Sequence, residues 1–359
     1  QSECDKRAER LMLTLPDGPE RRERTIRLYD SRDDRLKEIK ARGKTFEKDE
    51  MARWPKLDLL EAYSEFLSGE WDPPLTEAER PLFARLAQRK LPLLLKKQIE
   101  PEDLPPLATL ALRLFGLART EIRHTVIDEA QDFSPFQFRL LRELSGNDSF
   151  TIVGDLMQGV KAFEGLKDWE EILSPVFEGR ASLHPLRTSY RSTVDIMLFA
   201  SRVARRRPVP GQALARPVLR YGETPRVQGF ETEKARNAFV ADNAARFLQE
   251  GFSTVAIIDR DAKRCAALCK ALPKSLQARL LHAGDTQYGG GLTVLPASLV
   301  KGLEFDCVIL ADASETAYPD TELDARLLYV CLTRPLHKLL CCHVGPLTPL
   351  LAQEEGGTG

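Results

Sequence analysis

Ile122-Arg-His-Thr-Val-Ile-Asp-Glu-Ala-Gln-Asp-Phe-Ser-Pro-Phe-Gln137 is the stretch from which the fold is read. Val126 and Ile127 close a short apolar run with the pattern of a buried parallel strand. Asp128 and Glu129 follow at its tip. In an open α/β sheet, ligands bind at the carboxyl ends of the strands. A carboxylate pair there suits Mg²⁺, which takes one or two carboxylates and leaves positions for phosphate oxygens and water. Phosphoryl transfer also needs a group that orients the attacking water. Asp128 is therefore expected on the metal side and Glu129 on the water side. Ser134 and Pro135 read as N-cap and first residue of a helix over 135–144. A second strand is expected over 150–155, ending in Gly154-Asp155, with Gln158 just beyond.

The chain has 359 residues, 43% of them hydrophobic and 29% charged, with a formal net charge of −1. That length holds about two or three domains. Near-neutral charge makes any nucleic-acid surface a local patch. No apolar run approaches the ~20 residues of a membrane span, and the N-terminus does not read as a signal peptide. A cytoplasmic protein without membrane contact, and a monomer, is expected. Gln1 stands where an initiator Met would be, which suggests a fragment or a processed product. The seven cysteines are odd in number and scattered, so they read as free thiols. Cys265 and Cys269, with His282 nearby, lack a fourth zinc ligand at sensible spacing.

Residues 1–50 hold 14 Lys or Arg and 13 Asp or Glu, the mark of exposed helix or a mobile arm. Gly43-Lys44-Thr45 imitates the end of a phosphate-binding loop. The full GxxxxGK[ST] pattern needs Gly at position 38, which is Glu38, and a buried strand before it. No other stretch supplies that loop. Residues 51–120 read as helical: Leu59, Tyr63 and Phe66 recur at helical spacing, and Thr76 to Glu79 resembles a capping box before a helix over 81–95. A further apolar helix over 104–117 is expected to pack beside the acidic strand.

Beyond residue 182, strands and helices alternate. Strands are expected over 183–187, 226–230, 254–259, 292–295, 307–312 and 339–343, with helices over 231–249 and 261–272. Such alternation argues for a parallel α/β domain. Six arginines, including Arg205, Arg206 and Arg207, fall between Ser201 and Arg220 with no acid among them. A basic loop of this kind can track phosphates, dock on an acidic protein surface, or be solvated.

DEAQD at 128–132 followed by VGDLMQG at 153–159 resembles motifs II and III of the superfamily 1 helicases similar to UvrD and Rep, most closely the HelD and helicase IV branch. Further motifs follow in the family's order. Thr188 to Thr193 resembles motif IV, KGLEFD at 301–306 motif V, and Leu328 to Arg334, expected on a helix, motif VI. The resemblance covers about residues 100–345. It implies two RecA-like parallel-sheet domains, the first incomplete, behind a charged helical segment. Residues 1–100 would be a remnant of the insertion in the first motor domain, 101–180 the back half of that domain, and 181–359 the second. It further implies ATP and Mg²⁺ as cofactors and single-stranded or duplex DNA as partner. RNA polymerase is a possible second partner, since HelD relatives act on it, and a non-catalytic binding module is the third reading. The residues carried over are Asp128 for Mg²⁺, Glu129 for water, Gln158, Arg191 and Arg334 for the γ-phosphate, Gly302 for phosphate and Glu304 for the ribose. Phe163 or Trp169 would stack on a DNA base, or both would pack a helix. Relatives carry TxH before motif V, where this chain has Pro296 and Ser298. Without a phosphate loop, the 359 residues alone are expected to lack ATPase activity.

Overall fold

The computed structural model describes residues 2–53, 57–69, 73–116, 122–160, 165–210, 216–217, 220–285 and 289–352. The chain divides into two compact units, Gln1–Leu114 and Phe115–Gly359.

The first unit is helical: α1 (Ser2–Thr14), α2 (Pro19–Arg53), α3 (Leu59–Ser68), α4 (Glu79–Leu95) and α5 (Leu104–Phe115). Ion pairs at i, i+4 spacing, Arg21 with Asp17 and Arg24 with Glu20, line the start of α2. Each such pair contributes a few tenths of a kcal/mol, about 0.2–0.5. Gly43-Lys44-Thr45 lies inside α2. Helix-interior N–H groups are used by the helix itself, so this triplet has no free donors with which to cradle a phosphate. The α3–α5 core gathers Tyr63, Leu67, Ala87, Leu94 and Leu107. Asp58 caps α3, accepting from the N–H groups of Leu60 and Glu61. At the start of α4, the Thr76 N–H and hydroxyl both donate to Glu79 Oε2, at 2.8 and 2.7 Å. That is half of the expected reciprocal box, and the helix begins two residues early. α5, the helix expected to pack beside the acidic strand, gives Leu107 and Leu110 to this helical core. Its apolar stripe was legible, but spacing does not say which neighbour covers a stripe.

In the second unit, β1 (Thr125–Ile127), α6 (Pro135–Ser145), β2 (Phe150–Ile152) and α7 (Glu170–Leu173) come first. β1 and β2 pair in parallel, with Ile127 opposite Ile152. Next are β3 (Thr188–Ser189), α8 (Val194–Arg206) and β4 (Arg216–Pro217), with β3 and β4 paired in parallel. The strand expected over 183–187 is absent; only Thr188–Ser189 pairs. Pro185 lies in that run, and proline has no N–H to give a ladder.

The remaining elements are β5 (Arg226–Phe230), α9 (Glu233–Gln249), β6 (Thr254–Asp259), α10 (Ala262–Ala271), β7 (Arg279–Leu280), β8 (Gly291–Pro296), β9 (Phe305–Leu310), α11 (Glu322–Leu332) and β10 (Pro335–Val344). They build one parallel six-stranded sheet, order β5-β10-β9-β6-β8-β7. Alternation divides each central strand between two cores. Ala256, Ile258, Val308, Leu310, Leu339 and Cys341 face the layer with α8 and α11. Val255, Ile257, Cys307, Ile309, Leu340 and Cys342 face α9 and α10. Strands buried on both faces read as continuous apolar runs, as β6 and β9 do. The chain is thus α/β with parallel sheets and a helical N-terminal part, consistent with RecA-like helicase domains.

All seven cysteines are free thiols. Burial pushes Cys265 and Cys307 up to about 12, which makes them inert at neutral pH. Among the described residues no group of His, Cys, Asp and Glu could hold a metal as a closed cluster. Nor is any described helix long and apolar enough to cross a membrane.

Candidate active site

Parallel pairing brings the two acidic strand tips together. Val153 N–H donates to Ile127 O at 2.8 Å and Ala130 N–H to Val153 O at 3.0 Å. Past Ile127 the chain turns sharply. Glu129 adopts φ 52°, ψ 38°, the left-handed region, which costs a residue with a Cβ about 1–2 kcal/mol. Asp128 Oδ1 accepts the Glu129 N–H at 2.8 Å, and both carboxylates are exposed. A short ladder of contacts then leads across the unit. Gln131 Nε2 donates to Glu129 Oε2 at 2.5 Å, and Gln131 Oε1 accepts the Asp155 N–H at 3.0 Å. Asp155 Oδ2 accepts from Gln158 Nε2 at 2.8 Å, and Gln158 Oε1 accepts from Arg334 Nη2 at 2.6 Å.

Arg334 is not on the helix where it was expected. α11 ends at Leu332, Thr333 is its C-cap, and Arg334 follows directly before β10. Arg334 is 1% exposed. Besides Gln158 it donates to Val330 O at 3.0 Å and Leu303 O at 3.4 Å. Burial lowers its pKa, and the nearby charge of Arg191 lowers it further, while Glu129 and Glu304 act the other way. Arginine stays protonated regardless. These four charged groups therefore share one electrostatic neighbourhood.

Arg191 and Glu304 meet each other: Arg191 Nη2 lies 2.6 Å from Glu304 Oε1, both side chains 43% exposed. Ser192, next to Arg191, donates to Pro335 O at 2.7 Å and pins that segment beside Arg334. Gly302 has φ 77°, a conformation that favours glycine. Lys301, unassigned by the sequence reading, places Nζ 2.7 Å from Asp132 Oδ1 and 3.3 Å from Glu129 Oε2. Gln131 and Lys301 both lie inside motifs already singled out, but residue type alone does not reveal burial or cross-sheet reach.

The residues expected to face DNA are placed as follows. Trp169 is partly buried against the core that holds Ile127 and Phe138; a Cβ added to Gly154 would lie 3.1 Å from its ring. Phe163 lies outside the described residues. Arg206 and Arg207 engage Asp320, at 3.2 and 2.7 Å. Arg205 is exposed.

Two stretches of the chain match known family domains. Residues 84–167 match the UvrD/REP helicase N-terminal domain, and residues 292–341 the UvrD-like helicase C-terminal domain. The chain belongs to the UvrD-like superfamily 1 helicases. It is 34% identical over 171 residues to the ATP-dependent DNA helicase UvrD2 of Mycobacterium tuberculosis, covering 45% of this chain and 24% of that protein. It is 35% identical over 98 residues to UvrD1 of the same species, covering 24% and 12%. The chain thus spans no more than about a quarter of these relatives. The C-terminal domain of a possible DNA helicase from Lactobacillus plantarum WCFS1 is 34% identical, covering 46% of this chain and 92% of that one, with a TM-score of 0.38.

Proposed function

We propose that this chain is the C-terminal part of an ATP-driven DNA helicase or translocase. Residues 101–180 are the back half of the first RecA-like domain and residues 181–359 the second. Residues 1–100 are what remains of an insertion in the first. The observation that carries the reading is the Arg334–Gln158 contact, which joins motif VI to motif III. A guanidinium beside a γ-phosphate stabilises charge in the transition state.

The residues present fit ATP with Mg²⁺. Asp128 is an exposed carboxylate at a parallel strand tip, suited to a hard cation. Bound Mg²⁺ would neutralise charge on the phosphates. Glu129 orients water, and Gln158, Arg191 and Arg334 hold the γ-phosphate end. Glu304 holds the ribose once Arg191 leaves it for phosphate, and Gly302 lets the backbone come close. The protein works on DNA in the cytoplasm as a monomer, and Phe163 or Trp169 would serve base stacking.

A second reading is an ATPase that remodels RNA polymerase, as in the HelD branch. It is favoured by Pro296 and Ser298 where relatives carry TxH, and by the engagement of Arg206 and Arg207 with Asp320. One set of assays separates the readings. In a longer protein carrying this chain, single-stranded DNA is expected to stimulate phosphate release, and Asp128→Ala to abolish it. Neutralising Arg205, Arg206 and Arg207 together is expected to weaken DNA binding and flatten its salt dependence. Unchanged salt dependence, with loss of RNA polymerase capture instead, would favour the second reading. Turnover indifferent to Asp128→Ala would sink both.

A further inference from the structure

Gln131 is 1% exposed, and its surroundings are shaped to hold it. A Cβ on Gly154 would lie 2.6 Å from Gln131 Oε1, and one on Gly165 2.0 Å from the Gln131 carbonyl oxygen. At Gly165 the close atom is backbone, so that position requires glycine. The Gln131 carbonyl also accepts the Leu166 N–H at 3.1 Å. The orientation of the amide is forced by its partners. The Asp155 N–H can only donate, so Oε1 faces it; the Glu129 carboxylate can only accept, so Nε2 faces that.

We propose that Gln131 is the positioning residue of this site: it aims the Glu129 carboxylate and ties it to the strand tip bearing Asp155 and Gln158. The inference rests on the ATPase reading given above. Glu129 is exposed, on a left-handed backbone, and has two partners. Lys301 belongs to the segment between β8 and β9 and follows the second sheet. Gln131 shares a turn with Glu129, and its other hydrogen bond is to backbone. It therefore keeps the carboxylate aimed whether or not the second sheet is close. Because Gln131 also holds the Asp155 N–H, and Asp155 holds Gln158, the water side and the γ-phosphate side share one frame.

Two variants separate positioning from packing. Gln131→Met keeps volume and removes both bonds. Gln131→Glu keeps the acceptor for Asp155 and donates to Glu129 only when protonated. In the 359-residue chain without nucleotide, amide exchange at Asp155 is expected to stay slow in Gln131→Glu and to quicken at least ~10-fold in Gln131→Met. In the longer protein, Gln131→Met is expected to lower kcat by about 10²-fold, the scale of a small misplacement, with KM for ATP within ~3-fold. Gln131→Glu should be slow at pH 8 and gain turnover as pH falls and the carboxyl regains its proton, a limb absent from the unsubstituted protein. In a Glu129→Gln background, Gln131→Met should cost no more than ~2-fold further. An undiminished kcat in Gln131→Met, or an equal loss in that background, would overturn the proposal, as would an unchanged Asp155 exchange rate. No turnover in the unsubstituted longer protein would sink the ATPase reading and this inference with it; failure of the Gln131 variants alone sinks only the inference.

Discussion

Glu129 concentrates the chemistry of the site in one residue. It occupies a left-handed backbone position that disfavours residues with a Cβ, and strain of this kind tends to gather at functional sites. Substitution by Gln keeps the shape and leaves Asp128 untouched. Nucleotide affinity in the longer protein should then stay within a few-fold while turnover falls at least ~100-fold, the size of a general-base loss. Binding calorimetry beside steady-state phosphate release measures both, and near-normal turnover would remove Glu129 from its role. The carboxylate pair was legible because it follows an apolar run. Its partners were not: Gln131 and Lys301 reach it through folding, one by burial and one from the turn between β8 and β9.

At the scale of elements, Arg142 on α6 fastens the motif II–III half together. It donates to Asp148 Oδ1 and to Val176 O, both at 2.5 Å, and to Glu178 Oε1 at 2.9 Å. The guanidinium holds both carboxyls below the usual carboxylate range. A carboxyl lowered on folding stabilises above its unfolded value, about 4, and that contribution is lost as pH falls through the folded value. The denaturant midpoint of this unit should therefore decline below about pH 4. Arg142→Met should lower the midpoint at neutral pH and flatten the acid decline. Circular dichroism titrations from pH 3 to 7 test this, and the same acid slope in both proteins would count against it. The helix was predicted from its Ser134-Pro135 start, and its N-terminal box is present, with Gln137 as the reciprocal partner. The Arg142 hub was not, because its acceptors lie up to 36 residues away.

For the molecule as a whole, the six-stranded sheet and its two apolar layers make the second unit's core self-sufficient. The 359 residues contain no GxxxxGK[ST] stretch, and their nearest imitation is buried in the hydrogen bonding of α2. Without a backbone cradle and its Lys, a triphosphate lacks its main anchor, and positioning cannot act on an unheld nucleotide. This chain by itself is expected to fold, to show no phosphate release above background, and to bind an ATP analogue no tighter than about millimolar, roughly −4 kcal/mol. Robust turnover that disappears in Asp128→Ala would show that another segment does the cradling.

The order of motifs, the α/β alternation and the acidic strand tips follow from the sequence alone, because strand burial and helix caps are written in local residue patterns. β6 and β8 fall where the apolar runs place them, β10 contains its run but starts four residues earlier, and Thr232 and Asp261 cap α9 and α10. What only the tertiary structure decides is which distant groups meet. The Arg334–Gln158 bond spans 176 positions, Arg191 turns to Glu304, and Asp320 takes two arginines of the basic stretch whose partner the sequence left open. Charge type is a property of a residue, whereas a partner is a property of the fold: long side chains choose among acceptors by distance and burial, neither of which spacing along the chain encodes.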